Sequence, residues 1–407
     1  MKSRIIFGFL FAVMVGLFVA CPPNQKMLES LSVVPHKTDY FVGDSVSASD
    51  IEVLASYSDG TRQVVTNYTV APATFSEVGK VTVTVSYSEN GVTKTASYEV
   101  SVEVQPAQIV EFGLWPRTIK DPAVTVEETD SNKKDVGMFT YYKGSDGNWY
   151  CKALENAHGT GTEYQYSNGS QVKEKSDNSF QWFKVEPIKW RVLTNNYNGN
   201  KLLFAEEGLY AYIAYYSYTS DRTIDEKTIY PNNYKHSKIR AWLNGLNYNK
   251  NGSENSDYLN KGFLQTAFSS EEIKKIVTVE VDNSAESTNP NSNPKTFNNG
   301  ANTYACEPTQ DKIFLLSVKE ASNSDYGFAE WNEYGQGNAR IRKPTDFALA
   351  NFGWLSPTAG QGGWYFLRSP FHSDSNHALI VNDVGNWIIN RDLYPESPLV
   401  VPALCIE

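Results

Sequence analysis

From Ser30 to Val104 apolar and polar residues alternate in short runs: Leu31-Ser-Val-Val34, Ile51-Glu-Val-Leu-Ala-Ser-Tyr57, Val81-Thr-Val-Thr-Val-Ser-Tyr87 and Thr95-Ala-Ser-Tyr-Glu-Val-Ser-Val-Glu-Val104. A period of two turns one face of each run to a core and the other to water. With the turn signals Val42-Gly-Asp44, Ser58-Asp-Gly60 and Glu89-Asn-Gly91 between them, the runs predict a small antiparallel sandwich over 30–104. Gln105-Pro-Ala107 closes it, because proline cannot donate within a central strand.

The remainder, 108–407, reads as one large domain. Short aromatic-rich strands are predicted at Val110–Trp115, Gly137–Tyr142, Trp182–Leu193 and Lys201–Ala205. Ser237 is placed to cap a helix with Ile239, Trp242, Leu243 and Leu246 on one face. Ser269-Ser-Glu-Glu272 has capping-box spacing and opens a second through Ile273, Ile276 and Val277, and Thr345 opens a third through Phe347 and Leu349. Asp282 to Gly300, rich in Asn, Ser and Pro, predicts a surface loop.

The N-terminal segment breaks the pattern. Lys2 and Arg4 precede an unbroken apolar stretch, Ile5 to Ala20, shorter than the ~20 residues needed to span a bilayer, and Phe18-Val-Ala-Cys21 follows it. This resembles a bacterial lipoprotein signal, which implies that 1–21 is a signal peptide and that Cys21 carries the lipid. Residues 22–29 then form a tether, and the chain is held by its lipid at the outer membrane or cell surface. The formal charge of −10 repels a phosphate backbone, so nucleic acid is not an expected partner. Four scattered cysteines without Cys-x-x-Cys spacing argue against a zinc or redox centre. With Cys21 lipidated, at most one disulfide is expected, with Cys306 to Cys405 favoured.

Val33-Val-Pro-His-Lys-Thr-Asp-Tyr-Phe-Val-Gly-Asp44 and Tyr57-Ser-Asp-Gly60 resemble the bacterial immunoglobulin-like domains of surface proteins, which implies a spacer. Trp182-Phe-Lys-Val-Glu-Pro-Ile-Lys-Trp-Arg-Val-Leu193, Tyr230-Pro-Asn-Asn233, Asp311-Lys-Ile-Phe-Leu-Leu-Ser317, Gly362-Gly-Trp364, Leu367-Arg-Ser-Pro370 and Val401-Pro-Ala-Leu-Cys405 resemble the treponemal lipoproteins with a C-type-lectin-like domain. That group includes variable proteins diversified by retroelements. The resemblance implies a fold related to formylglycine-generating enzymes, so the expected architecture is an all-β immunoglobulin-like sandwich followed by an α+β C-type-lectin-like domain.

Catalysis finds little support in the residues. The formylglycine-generating relatives use two cysteines close together, whereas Cys405 lies in the apolar Ala403-Leu-Cys-Ile406, and the five histidines sit apart from any nucleophile elbow. A calcium-dependent lectin is the other alternative. Its Glu-Pro-Asn type triplet and Trp-Asn-Asp motif are replaced here by Glu186-Pro-Ile188, Glu307-Pro-Thr309 and Trp331-Asn-Glu333, none of which matches. No cofactor or metal is expected.

The remaining candidate is Tyr365 to Tyr394. Trp364-Tyr-Phe-Leu-Arg-Ser-Pro370 reads as frame, with Arg368 satisfying backbone carbonyls or a carboxylate. The segment from Tyr365 to Tyr394 then lacks Lys, Glu, Gln and Met and has one Trp. Codons ending in a pyrimidine leave such a depletion, as adenine-directed mutagenesis would; a strand-and-turn surface poor in long charged residues leaves it too. Either way Tyr365, Phe371, His372, Ser373, Asp374, Asn376, His377, Asn382, Asn386, Trp387, Asn390, Asp392 and Tyr394 read as polar and aromatic side chains on loops. They are the expected contacts for an extracellular protein or glycan, an adhesin-like role.

Overall fold

In the computed structural model the described residues are 26–76, 79–103, 107–159, 164–216, 220–250, 253–288, 303–329, 338–358, 362–371, 374–392 and 397–407. The chain divides into two compact units, Met1–Pro106 and Ala107–Glu407.

The first unit is a two-sheet sandwich. Leu28–Pro35 pairs with Ile51–Tyr57, which pairs with Arg62–Val64. In the other sheet Gly79–Glu89 lies between Thr69–Ala71 and Val92–Glu103, and Asp39–Phe41 runs parallel to the last of these. Ile51, Val53, Ala55 and Tyr57 point into the core at every second position. Asn90 and Gly91 both have positive φ, at 50° and 81°, which closes the Gly79–Glu89 hairpin with the twist its strands require.

The second unit is mostly β with short helices. Its sheet is built on Phe180–Tyr197, whose first residues pair with Trp149–Leu154 and whose last pair with Asn200–Ala205. Ile109–Ile119 runs along the other edge. Pro187 is accommodated because the register with Ile109–Ile119 shifts between Pro187 and Lys189. Asn200–Ala205 pairs in turn with Ala403–Ile406, which also takes Ile276–Val277 and Ile313–Phe314. Trp115 and Trp190 are fully buried, and their indole N–H groups donate to the carbonyls of Leu209 at 2.8 Å and Phe112 at 2.7 Å.

Three helices begin where capping residues predicted. Ser237 caps Lys238–Asn244, Ser269 and Glu272 form the capping box of Ser270–Lys275, and Thr345 caps Asp346–Ala350. They end earlier than the apolar pattern suggests. Gly245, at φ 68°, stops the first before Leu246, and Ile276 and Val277 leave the second to pair with Ile406 and Cys405. The predicted surface loop Asp282–Gly300 also needs correction, since Ala285–Thr288 is a short helix and Asn283, Ser287 and Thr288 are buried. Much of their polarity is compensated: Asn283 Nδ2 donates to Glu307 O and Thr309 Oγ1, Ser287 Oγ to Ser317 Oγ and Thr288 Oγ1 to Ser284 O, while Asn283 Oδ1 is buried without a hydrogen bond among the described residues. Residues 289–300 lie outside the described residues.

Cys151, Cys306 and Cys405 are free thiols, so the expected Cys306–Cys405 disulfide is not formed. Cys405 sits within a strand opposite Leu202 and Val277, whereas the residue 306 amide bonds to Asn283 O on another element. Burial pushes the Cys151 and Cys405 thiols up to about 12, which keeps both protonated at neutral pH.

Candidate functional site

The expected run of loops is in large part a meander of three antiparallel strands, Tyr365–Pro370, His377–Val381 and Trp387–Asp392. Ala378 to Val381 is fully buried, and this apolar run turns what read as an insert into part of the frame. The meander is fixed to the segment that follows the main-sheet strand Ile313–Phe314 through Arg368 N, which donates to Leu316 O at 3.0 Å, and Val318 N, which donates to Ser369 Oγ at 2.9 Å.

Arg368 is wholly buried. It pairs with Glu320, and its guanidinium also donates to Leu315 O at 2.8 Å and Asp282 O at 3.1 Å. Tyr365 is buried as well and donates its hydroxyl to Arg340 O at 3.0 Å; burial pushes that phenol up to about 12. The placement of Tyr365 among the ligand contacts is therefore corrected: it is a frame residue, because its inward face on the strand meets Phe204.

The other candidates fall into two groups at opposite ends of the His377–Val381 strand. Four steps of about 3.3 Å separate the ends, roughly 13 Å in all. At one end are Phe371, Asp374, Asn376 and His377, with Asp392 opposite His377 in register. At the other are Asn382 and Asn386, with Trp387 opposite Val381. Asn390 lies between, in the strand Trp387–Asp392. His372, Ser373 and Tyr394 lie outside the described residues, as does Cys21.

Each end is held from beneath. Asn232, fully buried, donates its side-chain amide to Asp374 O at 3.0 Å and His377 O at 3.1 Å, and its backbone N–H to Ser375 O at 3.1 Å. The Asp374 carboxylate accepts from Asn376 N at 2.8 Å, and His377 Nδ1 lies 2.6 and 2.7 Å from its two oxygens. At the far end buried Arg340 donates Nε to Gly385 O at 2.6 Å, Gly362 N donates to Asp383 O at 2.8 Å, and Trp364 Nε1 reaches Asp383 Oδ1 at 3.4 Å. Asn382 is occupied in making the turn, since its Oδ1 accepts from Val384 N and Asn386 N. Phe371, Asp374, Asn376, His377 and Asn386 are half-buried, with their remaining surface open to solvent.

Asn232, Arg340 and Glu320 escaped residue-level reading of the sequence. Asn232 was visible only within Tyr230-Pro-Asn-Asn233, a motif whose purpose becomes plain once it is seen to clamp the 371–377 loop. Among the described residues no three His, Cys, Asp or Glu side chains come together to hold a metal ion.

A family profile described as Domain of unknown function (DUF6273) matches residues 198–407, more than half of the 407-residue chain. The chain belongs to that family. The matched region contains both loops, both clamps and the Arg368–Glu320 pair, but starts after the long strand Phe180–Tyr197 on which the sheet is built. A second profile, Bacterial Ig-like domain (group 3), matches residues 33–102, so the first unit carries an immunoglobulin-like domain. No curated protein matches the chain.

Proposed function

We propose that this chain is a surface-displayed lipoprotein that holds an extracellular protein or glycan on the two ends of the His377–Asp392 hairpin. One observation carries the reading: each end is pinned from below by a buried donor, Asn232 or Arg340, while Asp374, Asn376, His377 and Asn386 above them are only half-buried. Fixed backbone beneath adaptable polar groups is how binding loops are built. In its finer form the second unit is a C-type-lectin-like domain of the treponemal kind. The absence of Lys, Glu, Gln and Met from Tyr365 to Tyr394 is the trace expected of retroelement diversification. Lipid on Cys21 tethers the chain, and the immunoglobulin-like unit serves as the spacer.

The test is a binding panel of matrix proteins and glycans, with His372→Ala, Asn386→Ala and Trp387→Ala compared against the parent. Binding hot spots cost ~2 kcal/mol or more, a loss on the order of 30-fold, whereas exposed substitutions change stability by ~0.5 kcal/mol or less. At least one variant is expected to lose binding with an unchanged melting temperature. Unaltered binding in all three, or unfolding of all three, removes the reading. Cys21→Ser is expected to leave the membrane fraction, and a near-copy of the 3′ coding end beside a reverse-transcriptase gene is the genomic sign of diversification.

A further inference from the structure

Tyr212 and Phe352 both stand in left-handed backbone, at φ 60° and 69°, a region that is costly for bulky side chains. Phe352 takes the place after the helix Asp346–Ala350 that glycine usually fills, where Gly353 N donates to Ala348 O at 2.9 Å. The two rings meet edge to face with 6.0 Å between their centres, and Phe352 packs on His158 at 4.9 Å as well. Phe352 thus buttresses Tyr212. Tyr212 itself is exposed, although Ala211 and Ile213 on either side of it are buried. Strained backbone of this kind persists only where the surroundings hold it, and it gathers at binding sites.

Tyr212 borders a cavity of about 270 Å³ whose walls also include Phe139, Phe347, Asn156 and Asn351. Asn156 and Asn351 are joined by a β-bridge, and Asn156 N donates to Ala350 O at 2.8 Å, so their backbone is fixed. The Asn156 carboxamide has no hydrogen-bond partner among the described residues and is not buried, while Asn351 donates Nδ2 to Phe347 O at 2.7 Å and keeps Oδ1 as an acceptor. No carboxylate lines the cavity among the described residues. Its two lysines do not call for an anion: Lys152 pairs with Glu128, and Lys175, with its ammonium 5.8 Å from the Tyr212 ring centre, is exposed and shares its turn with Glu174 and Asp177. Aromatic walls and neutral amides are what remain.

We propose that this cavity is a second binding site, which takes one neutral hexopyranose ring with its C–H face on Tyr212 and its hydroxyls on Asn156 and Asn351. A pyranose combines a flat apolar face with a rim of hydroxyl groups, and those are the two surfaces that the cavity offers. The volume lies just below the ~300–1,000 Å³ of sites for drug-sized ligands, which suits a single sugar ring. The cavity shares no residue with the hairpin ends, so the site stands whether or not those loops bind a partner.

The experiment is a saturation-transfer NMR titration of the full chain with the methyl glycosides of glucose, galactose and N-acetylglucosamine, and with sorbitol, which carries hydroxyls but no ring face. At least one glycoside is expected to bind saturably and equally well at low and high salt, and sorbitol about tenfold more weakly or worse. Tyr212→Gly removes the ring at a position where glycine is unstrained, so it is expected to melt close to the parent and to bind the glycoside about tenfold more weakly or worse. A purely structural Tyr212 would show the reverse. Should that variant fail to fold, Asn156→Ala decides, with an expected loss of about threefold or more. The proposal is overturned if none of the three glycosides binds, if sorbitol binds as tightly, if the affinity falls with salt, or if Asn156→Ala leaves it unaltered. It is also overturned if folded Tyr212→Gly binds like the parent, which would put the sugar elsewhere, the hairpin included.

Discussion

Arg368 and Glu320 meet side by side in the core, two N–H groups on two carboxylate oxygens, and each also serves the backbone around it. Glu320 accepts from Tyr197 Oη at 2.8 Å and Ser317 N at 2.7 Å, while Arg368 covers the carbonyls of Leu315 and Asp282. The pair therefore joins the main sheet to the strand that starts the meander. Removing one partner strands a buried charge, so Glu320→Ala is expected to cost about 3–5 kcal/mol in denaturant unfolding. Replacing both, as Glu320→Leu with Arg368→Met, should recover a good part of that loss; a double variant as unstable as the single one would show that the backbone bonds carry the effect.

Asn232→Ala leaves the carbonyl of Asp374 without its side-chain donor and that of His377 with only the Phe371 N–H. Leaving buried acceptors unpaired costs on the order of 1–3 kcal/mol. Amide exchange should accelerate in 371–377, where Phe371 N donates to His377 O, and stay unchanged in 382–386. Acceleration at both ends would mean that the two clamps act as one.

His236 sets a pH dependence. Burial, then the neighbouring Arg222, Lys235 and Arg240, lower its pKa to about 4, against the opposing pull of Glu307. The unfolded chain takes up this proton near 6.5 and the folded one near 4. Stability from this residue is therefore full above about 6.5 and declines as pH falls toward 4. Melting temperatures across that window should decline less steeply in His236→Gln than in the parent.

A fragment starting at residue 198 lacks Phe180–Tyr197, the partner of Asn200–Ala205. It would expose as a free edge a strand whose Leu202, Leu203 and Phe204 are fully buried in the intact unit. Gel filtration should find residues 198–407 aggregated and residues 107–407 monomeric.

Local signals were the legible ones. Alternation located the sandwich strands, and serine and threonine caps located three helix starts, because each depends on residues within a turn or two. Helix ends were hidden where strand pairing won, as when Ile276 leaves its helix for Ile406. The clamps were hidden for the same reason. Arg340 reaches Gly385 across 45 positions and Asn232 reaches Asp374 across 142, distances over which no periodicity speaks. Polar composition misled at Asn283, Ser287 and Thr288, which are buried although polar, with Asn283 Nδ2 and Ser287 Oγ bonded to residues distant in sequence and Thr288 Oγ1 to Ser284 O. Tyr365 was misplaced because its neighbours in sequence include surface positions while its own side chain faces Phe204.

The two ends of the hairpin have separate clamps, Asn232 and Arg340, and lie roughly 13 Å apart, beyond the distance at which substitutions usually couple. Substitutions at Asn376 and at Asn386 should then alter recognition additively, within about 0.5 kcal/mol. Variation can be accepted at one end without first being matched at the other. A chain built this way can explore combinations of two small patches, each a few residues wide, while the strand between them stays constant.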